Sequence, residues 1–214
     1  MIKNFSEDNS IISEWIMELR DYSIQTDRMR FRKNIERVGQ IIGYEISKHL
    51  NYTQKCVFTP IAIADCAVLE KQPVIATILR AGMPLFDGLL NIFDKADCAF
   101  IASYRQHTGE GLLTINQQYV TQPSIEGRPL IIADTMLATG ASLLKAIQEL
   151  IEKETPSQIH IVSAIASPQG VEFLSDNLSN AKIWVGCIDN GLNDNGYITP
   201  GLGDAGDLCY GKKL

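Results

Sequence analysis

The stretch Pro129-Leu-Ile-Ile-Ala-Asp-Thr-Met-Leu-Ala-Thr-Gly-Ala-Ser-Leu-Leu-Lys-Ala-Ile147 decides how the chain is read. Its opening run, Leu130 to Ala133, is apolar without alternation, as expected of a strand covered on both faces. Asp134 stands where that strand should end. A turn of small residues follows, Ala138-Thr-Gly-Ala-Ser142, and then Leu143, Leu144, Ile147 and Leu150 recur on one side of a helix. A strand, a hydroxyl-bearing turn and a helix N-terminus together form an anion cradle, because unpaired backbone N–H groups and the helix dipole point the same way. Thr139 and Ser142 add hydroxyl donors, and Gly140 lets the backbone approach an oxygen-rich group. The same pattern also suits an ordinary capped turn. It lacks the lysine of a P-loop and the spaced glycines of a dinucleotide loop.

Outward from this stretch, strands and helices alternate. Strands are predicted at Val74–Leu79, Ala99–Ser103, Leu130–Ala133, Ile159–Ala166 and Ile183–Ile188. Helices are predicted at Leu85–Ile92, from the turn to about Lys153, and at Pro168–Leu174. Alternation at this spacing predicts an α/β fold, a mostly parallel central sheet with helices on both faces. Ahead of it, Phe31, Ile35, Val38, Ile42 and Ile46 form the apolar stripe of a long helix running to about Leu50, with Thr26 as its N-cap and Asp27 in its first turn. Residues 1–25 read as an N-terminal arm, polar at first and helical around Ile11 to Leu19. Cys56-Val-Phe-Thr59 and Ile61-Ala-Ile63 flank Pro60 and read as edge strands. The remainder, 26–214, reads as one domain.

The 214 residues carry a formal charge of −6, so no global basic field favours nucleic acid. No apolar run approaches the roughly 20 residues that span a bilayer, and the polar start is unlike a signal peptide. Cys56, Cys66, Cys98, Cys187 and Cys209 are odd in number and lack Cys-x-x-Cys spacing, which points to reduced thiols in the cytoplasm rather than to disulfides or zinc. His49, His107 and His160 have no partner at ligand spacing.

In a parallel sheet, ligands collect beyond the carboxyl ends of the strands. The chain places Arg80 after the first core strand, Tyr104-Arg105 after the second, Asp134 and its turn after the third, and a Gly- and Asp-rich loop, 189–207, after the fifth. Each alone has a plain reading as a surface ion pair or a turn. Two arginines, a carboxylate and a phosphate-type turn on one rim instead suit a ligand with phosphates at both ends and a diol between. The long loop has glycines that let main-chain groups read a small planar ligand by its edge.

Leu79-Arg-Ala-Gly82, Tyr104-Arg105, Asp134 to Ser142 and Gly196-Tyr-Ile-Thr-Pro-Gly-Leu-Gly-Asp-Ala-Gly-Asp207 occur in that order, and they resemble the successive motifs of the uracil phosphoribosyltransferases, within the type I phosphoribosyltransferase family. The resemblance runs from about Thr26 to the C-terminus. It implies transfer of 5-phosphoribose from its 1-diphosphate (PRPP) to uracil, giving UMP and diphosphate in pyrimidine salvage. It also implies Mg²⁺, held mainly through the donor's diphosphate and water with no protein metal site. By that match Arg80 and Arg105 bind the diphosphate side. Asp134, Thr135, Met136, Leu137, Ala138, Thr139, Gly140, Ala141 and Ser142 hold the ribose 5-phosphate. Ile198, Gly203, Asp204 and Ala205 bind uracil, largely through main-chain groups, and Asp204 also faces the donor. Arg105, Asp134 and Asp204 are the implied catalytic residues, and 106–126 is the implied hairpin hood over the donor. The family further implies a homodimer or higher homo-oligomer and GTP as an effector, with no nucleic-acid or membrane partner. Two positions depart from the pattern. Thr135 stands where the uracil enzymes usually have Pro, and Ala141 where they have Gly; Ala141 is tolerable if its backbone does not need a positive φ. Two alternatives stay open: an RNA-binding regulator of the same fold that senses pyrimidine nucleotides, and a phosphoribosyltransferase for another nucleobase.

Overall fold

The computed structural model describes residues 1–107 and 113–212, with the side chains at 103–107 and 113–118 also outside that description. The chain opens with a short strand, β1 (Ile2–Asn4), and a helix, α1 (Ile11–Arg20), which buries Ile12, Ile16 and Leu19. The next helix is α2 (Arg28–Ser47). Its N-cap is Asp27 and not Thr26, because the Asp27 carboxylate accepts the Arg30 N–H at 3.0 Å and so satisfies a donor of the first turn. The stripe Phe31, Ile35, Val38, Ile42 and Ile46 is fully buried, as its spacing predicts. Each such side chain contributes roughly 1.5–3 kcal/mol.

Strands β2 (Tyr52–Phe58) and β3 (Ile63–Leu69) follow. They pair antiparallel with each other and with nothing else among the described residues. Both are therefore edge strands, as expected, and they form a two-stranded ribbon separate from the central sheet. Phe58, Ile61 and Ile63 on it are exposed.

The central sheet begins at β4 (Val74–Leu79), whose bounds are those expected. Helix α3 (Met83–Leu90) packs across α2 so closely that a Cβ on Gly88 would lie 2.0 Å from the Glu36 carbonyl oxygen. Then come β5 (Asp97–His107), β6 (Leu113–Thr121), β7 (Pro129–Ala133), the two-residue β8 (Met136–Leu137), α4 (Ala141–Leu150), β9 (Gln158–Ala166), α5 (Pro168–Asn177) and β10 (Ala181–Ile188). The tail holds β11 (Gly191–Leu192), β12 (Ile198–Thr199) and α6 (Ala205–Tyr210). Strand order across the sheet is β1-β10-β9-β7-β4-β5-β6, with β8 extending alongside β9. Every pair is parallel except β5 with β6. The N-terminal residues are thus part of the sheet, since Ile2–Asn4 align with Ile183–Val185.

Alternate residues of each central strand enter different cores. Ile75, Ile131, Ala133 and Trp184 pack with α1, α2 and α3 on one face. Val74, Ala76, Leu130, Ile132, Ile183 and Val185 pack with α4 and α5 on the other. Helices on both faces leave the carboxyl ends of β4, β7, β9 and β10 along one rim. No helix of the described residues is long and apolar enough to cross a membrane.

Candidate active site

The anion turn is held from two sides. Asp134, half-buried at the end of β7, donates its N–H to the Val162 carbonyl at 3.0 Å. Thr135 is fully buried, and its hydroxyl donates to the Ala81 carbonyl at 2.6 Å. Its own carbonyl accepts the N–H groups of Ala164 and Ile165. On the far side, the Ser167 N–H donates to the Leu137 carbonyl at 2.9 Å and its hydroxyl to the Ala138 carbonyl at 2.6 Å. The Ser167 hydroxyl in turn accepts the Gly170 N–H, capping α5.

These bonds orient the turn. In a trans peptide the C=O and the following N–H point opposite ways. Drawing the carbonyls of Leu137 and Ala138 towards Ser167 therefore turns the N–H groups of Ala138 and Thr139 away from α5. Gly140 follows with φ of 80°, a left-handed conformation that suits glycine, and caps α4. No residue other than glycine has positive φ among the described residues, so Ala141 sits at the first position of α4 with an ordinary backbone. The departure at Ala141 is sterically neutral for that reason.

The second part of the site is Arg80 and the tail. Arg80 is partly exposed, with its guanidinium Nη2 3.4 Å from Asp207 Oδ1 and 3.5 Å from the Gly211 carbonyl. Asp204 is exposed and caps α6, Oδ1 accepting the Asp207 N–H at 3.0 Å. The 189–207 loop, read from sequence as a long connection, is ordered by a β11–β12 hairpin in which Leu192 faces Ile198 and Gly191 faces Thr199. Gly203 lies on the exposed rim beside Asp204, whereas the Ile198 and Ala205 side chains are buried in the core. A planar ligand at this rim would meet the main chain of the last two, and not their side chains.

Of the residues named from sequence, the structure thus brings Arg80, Asp134 to Ser142, and Ile198 to Ala205 to one rim, joined by the Thr135–Ala81 bond and the Arg80–Asp207 pair. Arg105 belongs to β5, opposite Ile115 of β6, but its side chain lies outside the described residues, as do residues 108–112 of the expected hood. Ser167 and Asp207 were not singled out from sequence. Ser167 had a readable signal, a hydroxyl residue directly before Pro168 at a helix start; Asp207 had none beyond its place in the loop. Cys209, buried on α6, has its thiol pushed by burial up to about 12, so it stays protonated.

A parallel sheet with a carboxylate-led turn into a helix at one strand end and an arginine at the next defines a phosphoribosyltransferase-type fold. The family model for uracil phosphoribosyltransferase matches residues 6–212. A uracil phosphoribosyltransferase of Porphyromonas gingivalis is 45% identical over 97% of this chain and 96% of its own. One of Methanococcus vannielii is 36% identical over 96% of this chain and 88% of its own. Among solved structures, the AQ2163 protein from Aquifex aeolicus superposes with a TM-score of 0.89 at 31% identity, covering all of both chains. The chain belongs to the uracil phosphoribosyltransferase family.

Proposed function

We propose that this chain transfers the 5-phosphoribosyl group from PRPP to uracil, releasing diphosphate and forming UMP for pyrimidine salvage. The observation that carries the reading is the joining of the anion turn to the Arg80 loop through Thr135 and Ala81, with the Asp204-capped loop against Arg80. In this reading the N–H groups of Ala138 and Thr139, with the hydroxyls of Thr139 and Ser142, hold the 5-phosphate, and Asp134 accepts from the ribose hydroxyls. As diphosphate leaves, negative charge grows on its oxygens and the ribose becomes oxocarbenium-like. Alignment and a positive flank from Arg80 and Arg105 then lower the barrier. Gly203, Asp204 and the main chain of Ile198 and Ala205 hold uracil edge-on.

The described residues contain no group of three His, Cys, Asp or Glu side chains able to hold a metal ion. In this reading Mg²⁺ is carried mostly by substrate phosphates and water, which is that ion's usual habit. Asp134 and Asp204 would be the carboxylates placed to hold its water ligands. When bound, Mg²⁺ supplies charge that offsets the charge of the leaving diphosphate.

The segment 106–126, which includes β6, is read as a hood that excludes water from the donor. The β2–β3 ribbon, with Phe58, Ile61 and Ile63 exposed on it, is read as an arm onto a second copy, since an isolated two-stranded ribbon is marginal in water. Sedimentation of the wild type and of Phe58→Ser checks that arm; a wild-type monomer would remove it. Five free cysteines suit the reducing cytoplasm. GTP is kept as an effector, tested by adding it to the assay. The central experiment incubates the protein with PRPP, Mg²⁺ and each nucleobase and follows diphosphate release. UMP from uracil, with little product from purines, is expected; no UMP would overturn the assignment.

A further inference from the structure

The last residue of α1, Arg20, reaches across the molecule into the 189–207 loop. Its Nη1 donates to Asp189 Oδ2 at 2.8 Å and to the Gly201 carbonyl at 3.1 Å. Its Nη2 bonds Asp189 Oδ1 and lies 3.3 Å from Cys187 Sγ. Asp189 Oδ2 also accepts the Gly201 N–H at 2.8 Å. The start of the loop and its far side are thereby closed on one another by a forked, charge-assisted contact, the geometry that arginine supplies and lysine does not. The site is dry on the acid side, the Asp189 side chain being 2% exposed.

What the fork fixes is the ledge between Ile198 and Ala205. Gly201 stands between Ile198, which faces Leu192 across the hairpin, and the Gly203–Asp204 rim. Asn190 and Asn193 bind the opposite strand through the Thr199 and Tyr197 carbonyls. Those bonds set the hairpin, but none of them reaches Gly201; Arg20 and Asp189 do. The arginine is itself braced. α1 is anchored by buried Ile12, Ile16 and Leu19, and the Gln25 side-chain amide donates to the carbonyls of Leu19 and Arg20. The pairing with Asp189 also raises the guanidinium's pKa, so the charge is constant at any working pH.

We infer that Arg20 is a positioning residue for the acceptor base: through Asp189 and Gly201 it sets the main-chain ledge that holds uracil, and the N-terminal helix is thereby part of the base site. The inference rests on the reading of 189–207 as the uracil loop. It predicts an effect confined to one substrate, since the donor turn is held separately by Thr135 and Ser167.

The test is steady-state kinetics of full-length Arg20→Lys, which keeps a charge beside Asp189 but loses the fork. The expected result is a KM for uracil raised about tenfold, the size of a lost charge-assisted contact, with the KM for PRPP within about twofold of wild type. An unchanged uracil KM, or both KM values rising together, would overturn the inference. If Arg20→Lys does not fold by circular dichroism, the double variant Arg20→Gln/Asp189→Asn replaces the ion pair with neutral amides, and the same two outcomes apply. Asp204→Asn run alongside separates the two levels. No change in any uracil parameter there would sink the loop assignment, whereas a change there with Arg20→Lys silent would sink only the role of Arg20.

Discussion

The Thr135 hydroxyl donates to the Ala81 carbonyl at 2.6 Å, so a buried side chain at the start of the anion turn fastens it to the loop that carries Arg80. Where the resemblance implies proline, this chain has Thr135, and its hydroxyl makes this strut. Thr135→Val keeps the shape and removes the donor, a loss of about 1 kcal/mol. The KM for PRPP is expected to rise several-fold with that for uracil nearly unchanged, while Thr135→Ser keeps wild-type behaviour. Equal donor KM values in wild type and Thr135→Val would remove the strut from function.

Gly140 and Ala141 are adjacent, but only a change at Gly140 should touch PRPP binding. Gly140 has φ of 80°, and a Cβ there would lie 2.9 Å from the Phe173 ring. Gly140→Ala therefore costs at least ~1–2 kcal/mol and should weaken PRPP binding. Ala141→Gly puts glycine at an ordinary helical position and is expected to cost ~0.5–1 kcal/mol or less of stability, seen as a slightly lower melting temperature, with PRPP kinetics unchanged. Isothermal titration with PRPP and thermal melts read both.

Asp134→Asn keeps the side-chain shape and removes the charge that, in the proposed reading, accepts the ribose hydroxyls. Turnover is expected to fall at least about tenfold, equivalent to ~1.4 kcal/mol, with the circular dichroism spectrum unchanged. A wild-type rate in this variant would take Asp134 out of the site.

His160 provides a pH dependence unconnected with catalysis. The Trp184 indole N–H donates to its Nδ1 at 3.1 Å, so the proton sits on Nε2, which faces Gln158 Oε1 at 3.0 Å. Burial first, then the charges of Lys182 and His49, lower its pKa from 6.5 to about 3. The unfolded chain therefore binds a proton below pH 6.5 that the folded chain refuses until about pH 3. Stability from this group is full above pH 6.5 and declines as pH falls towards 3, with a slope of about 1.4 kcal/mol per pH unit. Between pH 6.5 and 4.5 this loss lies above the range of Glu18 and Glu154, whose hydrogen bonds hold their carboxyls below the usual value. Denaturant melts across that window should show the slope in wild type and not in His160→Gln; equal slopes would refute it.

Much of the architecture is set by pattern alone. Short, mostly apolar runs such as Val74–Leu79 and Leu130–Ala133, spaced between helices, read as strands covered on both faces, and the stripe from Phe31 to Ile46 has a helical period. Local signals also marked the turn at Thr139–Ser142 and the arginine at a strand end, because tight turns and strand ends demand particular residue types. Contacts between distant segments carry no such local mark. That Asp27 rather than Thr26 caps α2, that the ribbon stands apart from the sheet, and that Ile2–Asn4 extend the sheet were each decided by which partner lay within bonding distance after folding. Arg20 is the plainest case. In the sequence it is one arginine at a helix end, 169 residues from Asp189, and only the packing of α1 against the tail makes the two a single forked contact.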